Sequence, residues 1–204
     1  MQKLLENIYG KSKAKLAEDR VNSQLASFSK QKVADKMAAF SESDAVLITY
    51  GDTLIGDDES PLQTLAQFMK DHLKGVFSGL HILPFYPFSS DDGFSVVDFF
   101  QVRPDLGTWR DIRALGKDFR LMVDLVVNHV SAHSDWFQNY LAGESEYEDL
   151  AISLEPDTDL SSVTRPRSHP LLTPFDKQSG ERVLVWTTFS SDQIDLNYAS
   201  LNIF

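Results

Sequence analysis

RLMVDLVVNHVS, residues 120–131, decides how the rest of the chain is read. Leu121, Met122, Val123, Leu125, Val126 and Val127 form a nearly continuous apolar run, which predicts a parallel strand buried on both faces. Asp124 interrupts the run, and Asn128 and His129 close it. A polar group at a strand end is ordinarily a turn or a helix cap. In parallel α/β folds, barrels above all, the same position lines the active site.

Upstream, the chain alternates between strand and helix. AVLITY at 45–50 reads as a strand ended by Gly51 and Asp52. Ser60 and Pro61 then look like an N-cap and a first helical residue. Leu62, Leu65, Phe68, Met69 and Leu73 make the apolar stripe of that helix, with Gly75 near its end. Residues 79–84 are the next strand, and His81 within it is expected to be a hydrogen-bonded core residue. Thr108 caps a short helix over 109–117, with Ile112 and Leu115 facing the core. Alternation at this spacing predicts βαβ units and a parallel sheet. Right-handed crossovers place all strand carboxyl ends on one side. The loop FYPFSSDDGFSVVDF, 85–99, with Asp91, Asp92 and Asp98, would then meet His129 on one face. Ser-Ser-Asp-Asp-Gly is good turn chemistry. Aromatic faces beside carboxylates also suit a sugar, whose ring stacks on the one and whose hydroxyls donate to the other.

The two flanks differ in character. At the start, Leu4, Leu5 and Ile8 share a helix face, Leu16 follows, and Gly10 breaks or bends this part. A second helical stripe runs over 23–40 through Leu25, Phe28, Val33, Met37 and Phe40. A helical hairpin packed outside the main domain is expected. After Ser131 the chain is polar and irregular to about residue 181. A helical turn at 134–141 is expected, with Pro156, Pro166, Pro170 and Pro174 breaking later structure. RVLVWTTF, 182–189, is a strand. In DQIDLNYAS, 192–200, Asp195 and Asn197 are read as caps of a following helix, with a site as the alternative.

Bulk properties exclude several classes. Thirty acidic against 19 basic residues give a formal charge of −11, which argues against nucleic acid and anionic membranes as partners. No apolar run approaches the roughly 20 residues that span a bilayer, and the charged N-terminus lacks a signal-peptide core. With no cysteine there is neither a disulfide scaffold nor a thiolate metal site, and a cytoplasmic setting is expected.

Asp124 to His129, D-x-V-x-N-H closing an apolar strand, resembles the first sequence signature of the α-amylase family, glycoside hydrolase family 13. ITYGD at 48–52, GLHILPFYPF at 79–88 and SSDDGFSVVDF at 89–99 look like its sucrose phosphorylase branch. The resemblance implies an α/β fold: the N-terminal portion of a (β/α)8 TIM barrel, about three strands of it, with an inserted B domain and an N-terminal helical extension. The implied segments are the extension at 1–43, three β/α units at 44–131, the B domain at 132–190, and a return to the barrel at 191–204. A whole barrel takes about 250 residues, so the chain is expected to be the N-terminal part of a longer enzyme. Retaining glycoside chemistry needs a nucleophile and an acid/base about 5 Å apart. In the family both follow later strands, the nucleophile in an R-x-D context that follows no strand here. The chain alone is therefore expected to be inactive and, with an open sheet edge, to fold poorly.

Carried over residue by residue, the resemblance implies that Asp91 accepts from glucosyl hydroxyls and that Phe94 packs on that ring. His129 donates to a hydroxyl near the reacting carbon, and Phe189 borders the acceptor site. Arg167, or Arg165 beside it, helps hold phosphate, since a guanidinium binds it bidentately. Asp124 orients the arginine that precedes the nucleophile. The implied parent is a hexosyltransferase, a glucoside phosphorylase whose small-molecule partners are an α-glucoside (sucrose, glucosylglycerate or glucosylglycerol) and inorganic phosphate as co-substrate. No cofactor and no metal are implied. An N-terminal extension and the SSDDGF wording look closer to the glucosylglycerate and glucosylglycerol enzymes. The alternatives are an α-glucosidase or amylase-like hydrolase and a non-catalytic sugar-binding fragment.

Overall fold

The computed structural model describes residues 1–28, 40–164 and 167–203. The chain forms two units, one of Met1–Ser41 with Asn197–Phe204, the other of Glu42–Leu196.

In the first unit, helix α1 spans Gln2–Phe28 and breaks at Gly10, which sits at φ 72°, ψ 164°. The break resets the helical phase. The expected face of Leu4, Leu5 and Ile8 does not form: Leu5 is buried, while Leu4 and Ile8 are exposed. Leu5 packs instead with Ala14, Ala17 and Leu201, and Tyr9 lies against them. Arg20 donates to the Leu201 carbonyl. The stripe expected over 23–40 enters α1, where Leu25 is exposed. Its Val33 and Met37 lie outside the described residues, as do Arg165 and Pro166.

The second unit is built on a parallel sheet. Strands β1 (Val46–Thr49), β2 (Gly79–Ile82) and β3 (Arg120–Val123) pair in that order, with Val46, Gly79 and Arg120 level. Helix α2 (Pro61–Phe68), prolonged by a π-helical turn at Met69–Leu73, makes the first crossover; α3 (Trp109–Leu115) makes the second. Thr108 caps α3 as expected, and the structure adds a capping box with Asp111, whose Oδ2 accepts from the Thr108 amide at 2.8 Å and its hydroxyl at 2.7 Å. Leu80 and Ile82 point from the middle strand into the core with Leu62, Leu65, Met69, Phe85, Ile112 and Leu115. The other face of the sheet is open: Ile48 is 60% and Met122 44% exposed.

The opening stretch corrects the expectation. It is strand only over Arg120–Val123 and is not buried on both faces; Leu125 is 81% exposed. A strand buried on both faces needs a layer packed against each, and here only the face of Leu80 and Ile82 is covered. β3 is the end strand of its sheet. After an irregular link, His129–Ser131 forms a separate strand, β4, antiparallel to a later one, Gln193–Asp195.

Between these partners the chain is less irregular than its polarity suggests. Helix α4 (Asp135–Ala142) is capped by Ser134, whose hydroxyl accepts from the Phe137 amide at 3.2 Å, and it ends at Gly143 in the left-handed region. Strands β5 (Ser153–Leu154), β6 (Leu172–Asp176) and β7 (Arg182–Trp186) form an antiparallel sheet in the order β5-β7-β6. Pro174, expected to break structure, lies within β6, at the edge of the sheet. There a missing amide hydrogen removes no central ladder bond. The last strand, β8, is Gln193–Asp195. Among the described residues no helix is long and apolar enough to cross a membrane.

Candidate sugar-binding site

β2 delivers the chain into the loop that carries Asp91. There Asp91 (φ 58°), Asp92 (φ 49°) and Gly93 (φ 104°) all adopt left-handed conformations. Aspartate tolerates this region better than most residues. Gly93 is required outright: a Cβ there would lie 2.9 Å from the Pro84 carbonyl oxygen. The turn lifts the Asp91 carboxylate to β8, where Gln193 Nε2 donates to its Oδ2 at 2.8 Å.

His129, buried at the start of β4, reaches the same place. Its Nε2 stands 3.0 Å from the Phe94 carbonyl, an acceptor only, so Nε2 carries hydrogen and donates. In the neutral ring Nδ1 is then the lone-pair nitrogen; it is buried and, among the described residues, has no hydrogen-bond partner. Gln193 Nε2, itself a donor, lies 3.1 Å from the protonated Nε2 of His129, so the two groups stand side by side without a hydrogen bond between them while Gln193 donates to Asp91. The Phe189 ring stands 5.3 Å from the imidazole, tilted by 54°. The Arg167 guanidinium lies over the Phe189 ring, 6.0 Å from its centre. Asp91, Phe94, His129, Phe189 and Arg167, predicted from four separate segments, thus lie along one path of neighbouring groups.

Asp124 lies apart from that path. Its Oδ2 is 2.8 Å from His81 Nε2, with both side chains largely covered. His81 is hydrogen-bonded, as expected, although it stands on the open face of the sheet. Burial, and next the Asp124 charge, push the Tyr86 phenol above its ordinary pKa.

Three residues of DQID hold the site together, and only one of them was considered from sequence. Asp195 caps no helix. It is buried in β8, where Oδ1 accepts from Asn128 Nδ2 (3.0 Å) and Thr188 Oγ1 (2.8 Å), and Oδ2 from the Thr188 amide (2.7 Å). It therefore fastens the residue before His129 and the residue before Phe189. Gln193 donates to Asp91 and stands beside His129. Asp192 accepts at Oδ2 from the hydroxyls of Ser89 (2.5 Å), Ser90 (2.5 Å) and Ser95 (2.8 Å). Burial opposes ionisation of Asp192, but these hydrogen bonds outweigh it and hold its pKa below the usual carboxylate range. Polar residues alternating with Ile194 were the one available signal, and it does not tell a strand from a turn. Among the described residues no group of three or more His, Asp or Glu side chains is arranged to hold a metal ion.

Residues 67–203 match the alpha-amylase family in its catalytic domain. The chain belongs to the alpha-amylase family. Within it, the chain is 62% identical over 161 residues to a glucosylglycerate phosphorylase of Allomeiothermus silvanus, covering 79% of this chain and 29% of the relative. It is 48% identical to a glucosylglycerate phosphorylase of Spirochaeta thermophila, covering 98% of this chain and 35% of the relative. Among solved structures, a sucrose 6F-phosphate phosphorylase from Thermoanaerobacter thermosaccharolyticum superposes with a TM-score of 0.73 at 34% identity, covering 83% of this chain and 36% of that one. The chain spans about a third of the length of the curated relatives it matches. Its three parallel strands and two crossovers are accordingly part of an alpha-amylase family barrel.

Proposed function

We propose that the protein containing this chain is a retaining glucoside phosphorylase that transfers glucose from glucosylglycerate to inorganic phosphate, giving α-glucose 1-phosphate. The observation that carries this reading is the placement of Arg167 on the Phe189 ring, which itself packs on His129. It sets a bidentate anion-binding group one ring away from the sugar-contacting histidine. The two glucosylglycerate phosphorylases, at 62% and 48% identity, support the choice of donor.

In this reading Asp91 accepts from hydroxyls of the glucosyl unit and Phe94 packs on the ring. The Nε2 hydrogen of His129, which now meets the Phe94 carbonyl, is the donor to a glucosyl hydroxyl. Phe189 borders the acceptor, and Arg167 holds phosphate. Asp124 orients the arginine before the nucleophile. The nucleophilic Asp and the acid/base Glu lie on strands outside these residues, so the chain alone does not turn over. First the Asp displaces glycerate while the Glu protonates the leaving oxygen; phosphate then displaces the Asp. Residues 44–131 supply three β/α units, 132–190 the inserted domain, 191–204 the return to the barrel, and 1–43 an N-terminal helical extension. No metal takes part, and a cytoplasmic setting goes with the absence of cysteine.

The test is phosphate-dependent release of glucose 1-phosphate by the full-length protein, with glucosylglycerate, glucosylglycerol and sucrose as donors. Release from glucosylglycerate well above the other two is the expected result. Equal glucose release with and without phosphate would make the protein a hydrolase.

A further inference from the structure

We infer that Asp192 is a positioning residue for Asp91, clamping both stems of the left-handed turn that presents the Asp91 carboxylate. The inference rests on the glucosyl-binding role proposed for Asp91. Ser89 and Ser90 enter the turn and Ser95 leaves it, and all three hydroxyls converge on one oxygen of Asp192. The Asp192 carbonyl takes the Ser95 hydroxyl as well, at 3.0 Å. From the far side, Ser131 of β4 lies 2.6 Å from the Ser89 hydroxyl and 3.5 Å from Asp192 Oδ1. His133 stands 3.8 Å from that same Oδ1. The stems also bond each other, Ser89 N to Ser95 O at 3.0 Å and Ser95 N to Ser90 O at 3.2 Å.

The need for such a clamp follows from the turn itself. Two consecutive aspartates at positive φ are a conformation that relaxes unless its surroundings over-determine it. Asp92, at the apex, is exposed, so the constraint must act at the base. Successive residues of β8 and its approach divide the work: Asp192 grips the stems, and Gln193 meets the tip at Asp91 Oδ2. Among the described residues the Asp192 carboxylate meets Ser89, Ser90, Ser95, Ser131 and His133 rather than Phe94, His129, Phe189 or Arg167. Its effect on a glucosyl donor therefore passes through the backbone of the turn.

A double-mutant cycle in the full-length protein tests this, using Asp91→Ala, Asp192→Ala and the pair. Asp192→Asn serves as a milder variant that keeps the shape and one acceptor oxygen. The readouts are kcat/KM for the glucosyl donor and hydrogen exchange at the amides of residues 89–96. Asp192→Ala is expected to lower kcat/KM at least about tenfold in the parent, but less than about twofold when Asp91 is already Ala. Exchange should rise in residues 89–96, with the other β-strand amides unchanged. Unchanged exchange, or a loss of the same size in both backgrounds, would overturn the inference. If Asp91→Ala itself leaves kcat/KM unaltered, the glucosyl-binding role of Asp91 fails, and exchange alone then decides whether Asp192 holds the turn.

Discussion

Asp91, in the turn after β2, and His129, at the start of β4, lie on either side of Gln193, which donates to Asp91; in the proposed reading both contact the glucosyl ring. Contacts at a reacting ring strengthen in the transition state, so Asp91→Ala or His129→Ala in the full-length protein should cut glucosyl transfer at least about a hundredfold. Steady-state phosphorolysis measures this directly. Arg167→Ala should raise the KM for phosphate several-fold while leaving hydrolysis of the donor nearly intact; parallel loss of both would put phosphate elsewhere. Asp192 adds a pH signature. Its folded pKa lies below the ordinary value. The stability it contributes is therefore full above about pH 4 and is lost as pH falls through the lower folded value. Melting temperatures from pH 6 to pH 3 should consequently decline less steeply in Asp192→Asn than in the parent.

Elements with local signals were legible. Thr108 before Trp109 and Ser60 before Pro61 announced the helices α3 and α2 at their observed starts, and the helical turn expected over 134–141 is α4. The three parallel strands stood out as apolar runs, and their order followed from the alternation with helices. The strands β4 and β8 were not legible. Each is three residues long, and each owes its existence to a partner far away in sequence, which no periodicity reports. The same holds within the site. Asp91, Phe94, His129, Phe189 and Arg167 carried family wording, whereas Gln193 and Asp192 act through pairing that appears only when β8 is in place. Gly93 shows how tightly the Asp91 turn is built. Gly93→Ala should destabilise the fold by about 1–3 kcal/mol, since it combines a positive φ with a clash against the Pro84 carbonyl. Gly10→Ala meets the same conformational penalty but no clash within 4 Å, and should cost less. Chemical denaturation of both variants separates the two contributions.

Taken whole, the described parallel sheet has two apolar margins. Val46, Ile48 and Tyr50 are exposed on β1 and just beyond it; Met122, Val123, Leu125 and Val127 are exposed on β3 and after it. Margins of this kind attract other strands and other molecules. The 204-residue chain expressed alone should bind an apolar dye and scatter light, despite its charge of −11; Leu125→Lys should reduce both signals. The full-length protein should do neither. Its activity should also survive EDTA, and a loss restored by calcium would contradict the metal-free reading.

The pairing of β4 with β8 has a consequence for how such proteins diversify. His129 sits opposite Asp195, and Ser131 opposite Gln193. Everything from α4 through β7 leaves the body of the protein and returns to it through this narrow neck. Apart from Arg167, sequence above the neck can drift, lengthen or be exchanged as a cassette under the proposed reading, because Asp91 and His129 are fastened below it. A graft of that cassette from a relative with another leaving group should change which alcohol or acid is accepted while the sugar end stays as it was.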